Sequence, residues 1–301
     1  MAKSKDPQFT MRDPRTAYPQ PPFPKQPQDA PGTIAKMDPA PDHGEDSYVG
    51  SGRLKGRKAL ITGGDSGIGR AVAIAYAREG ARVCVNYLEA EEEDAQSLKS
   101  LIEGEGGEIT LMPGDLMDQA FCEGLVSKAA DAMDGLDILV INAGKQVRQD
   151  DVQDISAEQF DQTMKTNVYA MFWMARAALR LMPPGSAIIT TTSIQGFSPS
   201  PALLDYATTK FAIRGFTEAL AQTAIEQGIR VNGIAPGPFW TPLQPSGGQS
   251  QEKVHEFGSS TPMKRPGQPA EIAPAYVYLA SGESSYVAGE ILGLTGGKPI
   301  S

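Results

Sequence analysis

The sequence predicts an α/β fold: one doubly wound parallel sheet with helices on both faces. Three observations predict it. From Arg57 onward, short apolar runs rich in β-branched residues alternate with amphipathic stretches of helix length. A glycine-rich turn follows the first of those runs and opens the first helical stretch. No second run of this kind and no repeat with a period of ~20–50 residues interrupts the series, so the units belong to one sheet. Strands that alternate with helices are joined by right-handed crossovers, which makes them parallel and covers both faces.

The elements follow in order. Residues 1–50 stand apart: they hold ten of the 24 prolines, including YPQPPFPKQP at 18–27, and mix charges without apolar periodicity. Such a composition favours extended, polyproline-type backbone and builds no core. It reads as a disordered tail, or as an arm draped over the domain or a neighbouring subunit with Phe9, Tyr18 and Phe23 as anchors. Residues 51–301 form the domain. Its expected strands are KALIT (58–62), RVCVN (82–86), EITLM (108–112), DILVI (137–141), AIITTT (187–192), IRVNGI (229–234) and EILGLT (290–295). Helices are expected in IGRAVAIAYAREG, AEEEDAQSLKSLIEGEG, PAEIAPAYVYLAS and, as one long helix, SAEQFDQTMKTNVYAMFWMARAALRLM.

Composition narrows the function. The formal charge is −9, which gives no support to a nucleic-acid partner. No apolar run approaches the ~20 residues of a membrane span, and MAKSKDPQFT lacks the apolar stretch of a secretory signal. Cys84 and Cys122 are the only cysteines and read as buried thiols. With only His43 and His255, neither a histidine metal site nor a Ser-His-Asp triad has its material, and no metal is expected. A cytoplasmic enzyme or binding protein is the class that remains.

The glycine turn is TGGDSGIGR, 62–70, with Gly63, Gly67 and Gly69 spaced G-x-x-x-G-x-G. One glycine turns the chain, a second lets a phosphate approach bare backbone, and the third lets the next helix pack close. The helix N-terminus then faces a diphosphate. This is a dinucleotide-binding turn of Rossmann type, or a tight turn without ligand. Asp115 and Leu116 past strand three, and Asn142, Ala143 and Gly144 past strand four, lie at strand ends that line the same crevice, although each is also an ordinary turn sequence. At the end of strand two, Tyr87 stands where an acidic residue would select NAD. That permits NADP, the preferred reading, yet no arginine follows and Glu89, Glu91, Glu92 and Glu93 make the rim acidic, so NAD stays possible.

DYATTK, 205–210, places Tyr206 and Lys210 on one face of a helix. Ser193 ends strand five and Asn167 lies in the long helix before it. Interconverting a carbonyl and an alcohol needs a proton carrier at the oxygen. A free tyrosine, pKa about 10, is too weak an acid, and a neighbouring ammonium lowers it. The shift required is roughly 3 units, or about 4 kcal/mol. Ser193 would hold the substrate oxygen.

With TGGDSGIG, NAG, Asn167, Ser193, Tyr206-x-x-x-Lys210 and PGPFWT (236–241), the chain resembles the compact short-chain dehydrogenase/reductase family over about residues 53–298. The Pro-rich leader and NYLEAEEEDAQ resemble its bacterial subgroup related to aldehyde reductases and glucose dehydrogenases. The resemblance implies Tyr206 as acid/base, Lys210 on the nicotinamide ribose, Ser193 on the substrate oxygen, and Asn167 positioning a water. It implies Thr62, Gly63, Ser66, Gly67, Ile68 and Gly69 around the adenosine diphosphate. Asn142, Ala143 and Gly144 would flank the ribose, and Pro236, Gly237, Phe239 and Thr241 would meet the carboxamide. It also implies a homotetramer built through long helices.

The segment from Trp240 to Met263 breaks the α/β rhythm and reads as a flap over the pocket or a surface excursion. Gln195, Phe197, Leu203, Trp240 and Leu243 are the expected substrate walls. The expected activity is NAD(P)-dependent reduction of small aldehydes or ketones. A glucose-type sugar dehydrogenase and a non-catalytic dinucleotide sensor or scaffold are the alternatives.

Overall fold

The structure, a computed structural model, describes residues 7–300. The strands are β1 (Lys58–Thr62), β2 (Arg82–Tyr87), β3 (Ile109–Pro113), β4 (Ile138–Ile141), β5 (Ala187–Thr191), β6 (Arg230–Pro236) and β7 (Ile291–Leu294). All pair in parallel in one sheet of order β3-β2-β1-β4-β5-β6-β7. The strand order reverses between β1 and β4, so their carboxyl ends open the crevice where doubly wound folds bind ligands. Each central strand is apolar along its length because both faces are covered. One face packs Ile61, Val83 and Val140 beneath α1 (Gly67–Arg78) and α2 (Glu92–Gly104). The other packs Leu60, Leu139 and Ile188 beneath α3 (Gln119–Met133) and the helices after β4.

Those helices depart from the expected single long one. They are α4 (Ala157–Met164) and α5 (Ala170–Ala178), joined by a widened π turn at Lys165–Tyr169. The turn contains Asn167, which is buried and bonds outside its own helix: Nδ2 donates to Lys145 O at 2.9 Å and to Thr209 Oγ1 at 3.0 Å, and Oδ1 accepts from Lys145 N at 2.7 Å. Insertions of this kind concentrate at functional sites. Next in the chain come α6 (Leu204–Ala224), the short α7 (Gln251–His255) and α8 (Pro269–Ala280), which packs on α1.

Residues 7–50 carry almost no regular structure. Their backbone is tied down by side chains of the domain. Glu79, at the end of α1, is fully buried and accepts from Tyr48 Oη at 2.6 Å, Arg53 Nη2 at 2.7 Å, and the Ser51 and Arg53 amides at 2.9 Å each. Burial opposes its charge, but these donors win and hold its carboxyl at about 2. Phe23 is buried on Trp240 with ring centroids 4.3 Å apart, and the Tyr18 hydroxyl donates to Asp42 Oδ2 at 2.9 Å. Phe9, expected as an anchor, is 67% exposed: no apolar pocket lies under it.

Candidate coenzyme and active site

A cavity of about 620 Å³ runs across the carboxyl ends of the strands. Most of the sequence-predicted residues line it: Gly63, Ser66, Gly67 and Ile68 from the glycine turn; Tyr87, Asp115 and Leu116; Asn142, Ala143 and Gly144; then Ser193, Gln195, Tyr206 and Lys210; and Pro236, Gly237, Phe239 and Thr241. Leu203 and Leu243 also line it.

The glycine turn owes its shape to two close approaches. Gly63 has φ +58°, and a Cβ there would lie 3.0 Å from Ala143 Cα; at Gly69 a Cβ would sit 1.9 Å from Gly63 O. Only glycine lets α1 start against the turn. Thr62 and Gly69 therefore lie behind the cavity wall. The Thr62 hydroxyl accepts from the Asn142 and Ala143 amides at 3.0 and 3.2 Å, and Asn142 Nδ2 donates back to the Thr62 and Gly63 carbonyls. This lock joins the ends of β1 and β4 and fixes the shape of the wall.

At the other end, α6 delivers Tyr206 and Lys210 to one face, as four-residue spacing dictates. Both are buried, with the ammonium 5.1 Å from the phenol ring centroid, and Lys210 Nζ donates to Thr191 O at 2.8 Å. Ser193 Oγ accepts from Gln195 N at 3.1 Å and lines the same cavity as Tyr206. A Cβ on Gly144 would come within 3.6 Å of Asn167 Oδ1 and 3.7 Å of Lys210 Nζ, so bare backbone faces both groups.

Burial works against the expected acidified phenol. Burial pushes Tyr206 up to about 12, against the Ser193 hydroxyl, and pulls Lys210 down to about 7. Desolvation disfavours phenolate and ammonium alike. Burial thus opposes the acidification expected from Lys210, and a bound positive charge would favour it.

Three expected residues lie elsewhere. Trp240 is fully buried under the cavity floor, its ring against Phe23 and Phe257 and its Nε1 donating to Pro39 O at 2.8 Å. Phe197 takes the Arg214 guanidinium over its ring at 4.3 Å. Asn167 sits behind Gly144 and is tied to Lys145 and Thr209. Sequence reasoning missed other wall residues, Ala30, Pro31 and Gly32 from the arm and Asp65 and Gln244, whereas Glu91, expected on the rim, does line the cavity. Asp65 had a signal, as the one acidic residue inside the glycine turn. The arm residues had none.

The cavity volume falls in the range for a bound small molecule. Bare backbone at the α1 N-terminus, with a positive end, fits a diphosphate. Asp65 lines the same region, buried, with Oδ2 lacking any hydrogen-bond partner; burial, then the Glu91 charge, pushes it up to about 8. A protonated carboxyl of this kind suits a polar ligand edge. Arg70, which could have offered a charge here, is consumed by Glu45, Ser97 and the Asp65 and Asp94 carbonyls.

Residues 63–298 match the family model described as "Enoyl-(Acyl carrier protein) reductase". The chain is 58% identical over 290 residues to the oxidoreductase YghA of Escherichia coli (strain K12), covering 96% of this chain and 99% of that one. Two plant proteins follow. The glucose and ribitol dehydrogenase of Daucus carota is 44% identical (93% and 98% covered), and the chloroplastic NADPH-dependent aldehyde reductase 1 of Arabidopsis thaliana is 42% identical (92% and 98% covered). A Burkholderia cenocepacia short-chain dehydrogenase solved in complex with NADP superposes with TM-score 0.76 at 31% identity, over 81% of this chain and 98% of that one. This chain belongs to the short-chain dehydrogenase/reductase family. It is an oxidoreductase with the family's parallel sheet. Among the described residues no helix is long and apolar enough to cross a membrane, and no cluster of metal-ligating side chains occurs.

Proposed function

We propose that the protein is an NADP-dependent reductase of small aldehydes or ketones, with Tyr206 as the proton donor. One observation carries the reading: the buried Tyr206 phenol shares a strand-end cavity with Ser193, Lys210 and the bare backbone of the glycine turn. When bound, the nicotinamide coenzyme supplies the hydride. Everything else falls to side chains. Ser193 binds the carbonyl oxygen and orients it toward the phenol. Tyr206 gives that oxygen its proton, or takes one from an alcohol in reverse. Lys210, held by Thr191 O, stands beside the phenol and the place of the coenzyme ribose; burial disfavours its charge in the protein alone, and in its protonated form it stabilises phenolate once the proton has left. Asn167 braces the Lys145 backbone beside Gly144 and is assigned the water that reconnects Lys210 to solvent.

For the coenzyme, the names of the Arabidopsis and Burkholderia relatives favour the phosphorylated form. Tyr87 rather than a carboxylate ends β2, and burial disfavours the charged form of Asp65, both compatible with a 2′-phosphate. A second reading, oxidation of a sugar or polyol, draws on the carrot relative's name and on Gln244. Its Oε1 is buried without a partner in the cavity lining, an acceptor suited to a substrate hydroxyl. We also propose a cytoplasmic homotetramer. Tyr169, Phe172 and Phe211, each more than two-fifths exposed around α5 and α6, offer an apolar contact face.

Fluorescence titration with NADPH and NADH, followed by turnover on a panel of aldehydes, ketones, sugars and polyols, tests the reading. Tighter NADPH binding with aldehyde reduction is expected. Preference for NADH would sink the coenzyme assignment, and turnover confined to sugars would replace the substrate class.

A further inference from the structure

We propose that residues 23–34 of the N-terminal arm are part of the coenzyme site: a strap across the mouth of the crevice, fastened at both ends, whose middle forms the outer wall over the adenosine half. The proposal rests on the coenzyme reading above.

The first fastening is to segment 240–263. Phe23 donates its amide to His255 O at 2.9 Å, and its carbonyl lies 2.6 Å from His255 Nδ1. Its ring fills a pocket with Met37, Trp240, Val254 and Phe257. Gln26 N donates to Gln251 Oε1 at 2.8 Å, and Gln28 N to Pro245 O at 3.3 Å. The second fastening is to α2, where Ile34 N donates to Asp94 Oδ2 at 3.0 Å. Between the two, Gln28 Oε1 accepts from Thr33 N at 2.8 Å and closes residues 28–33 into a loop. The tip of that loop, Ala30–Gly32, lines the cavity.

The fit at the tip is close. A Cβ on Gly32 would lie 2.8 Å from Pro242 O and 2.9 Å from Ser246 Cβ, and Gly32 has no left-handed φ. The glycine is there for space, not for backbone conformation. Pro24, Pro27 and Pro31 restrict the free segment, so ordering it costs less entropy than an ordinary tail would. The strap ends at Asp94 near the start of α2, whose carbonyl shares Arg70 Nη1 with the Asp65 carbonyl, so this end lies on the side of the crevice where β2 ends, over the adenosine half. Coenzyme exchange then requires the strap, segment 240–263, or both to give way. Any change that leaves this wall formed only a tenth of the time raises the apparent Kd about tenfold.

NADPH fluorescence titration and stopped-flow displacement on the full chain, with Gly32→Val and Phe23→Ala, test the strap. Both variants are expected to weaken NADPH binding about tenfold through faster release, raising the coenzyme KM but not the carbonyl-substrate KM. Hydrogen exchange on the unaltered protein guards against a variant that fails to fold: amides of 23–34 should gain protection when NADPH is added. Folded variants that bind and release NADPH like the parent, or exchange unchanged by NADPH, overturn the strap while leaving the coenzyme reading intact. A parent protein that binds neither NADPH nor NADH overturns both.

Discussion

The two walls of the crevice are built in opposite ways. The inner wall is made of strand ends and helix starts. Its groups are fixed by the sheet: Thr62 locks Asn142, the Thr191 carbonyl holds Lys210, and helical spacing sets Tyr206 over Lys210. The outer wall is irregular chain from two distant parts of the sequence, residues 23–49 and 240–263, held by hydrogen bonds and by one aromatic cluster. The inner wall therefore carries chemistry that tolerates no displacement. The outer wall holds interactions that local opening can break and remake. Changes to the inner wall should alter turnover with little loss of stability, and changes to the outer wall the reverse.

The largest expected effect breaks that comparison on the inner side. Tyr206→Phe should lower turnover by about a thousandfold or more while leaving NADPH binding and melting temperature near those of the parent. Steady-state kinetics with thermal unfolding checks it, and substantial residual activity would remove Tyr206 from the acid/base role. On the outer side, Trp240→Ala deletes a fully buried ring and should cost about 3–5 kcal/mol in denaturant unfolding. A loss near zero would show that the aromatic cluster holds nothing.

The pH dependence sharpens the contrast. Glu79 sits at about 2 when folded, below the ordinary 4.5, so its contribution is fully present above the unfolded value. It is lost as pH falls through that window. Melting curves from pH 6 down to about 2 should show a steepening loss for the parent and a flatter one for Glu79→Gln. Tyr206 behaves oppositely in kinetics. With its phenol at about 12 in the free protein, carbonyl reduction should hold level across neutral and mildly alkaline pH, while alcohol oxidation rises with pH. The smallest effect belongs to the exposed Lys25–Glu252 pair, 2.8 Å apart. Lys25→Ala should leave the melting temperature unchanged, because solvent screens such pairs.

How much was legible differs between the two walls. Periodicity gave the strands to within a residue or two, and glycine spacing gave the turn at β1. Two substrate-wall assignments failed for one reason. Trp240 and Phe197 stand beside the cavity-lining Phe239 and Gln195, but which side a loop residue faces depends on what packs behind it. For Trp240 that is Phe23, more than two hundred positions away in the chain. The break in the long helix at Asn167 was hidden for a similar reason. Its partners Lys145 and Thr209 come from other elements, and helical periodicity does not register them.

By itself, the sequence determined the parallel α/β layering, the bare-backbone phosphate cradle and the Tyr-x-x-x-Lys face, because periodicity, glycine φ freedom and helical pitch are local properties. Only the tertiary structure decided the burial of Tyr206 and Lys210, the exile of Trp240 from the cavity, and the entry of Ala30–Gly32 into its wall. Burial and contact between distant segments are set by the whole packed chain, and no short stretch of residues encodes them.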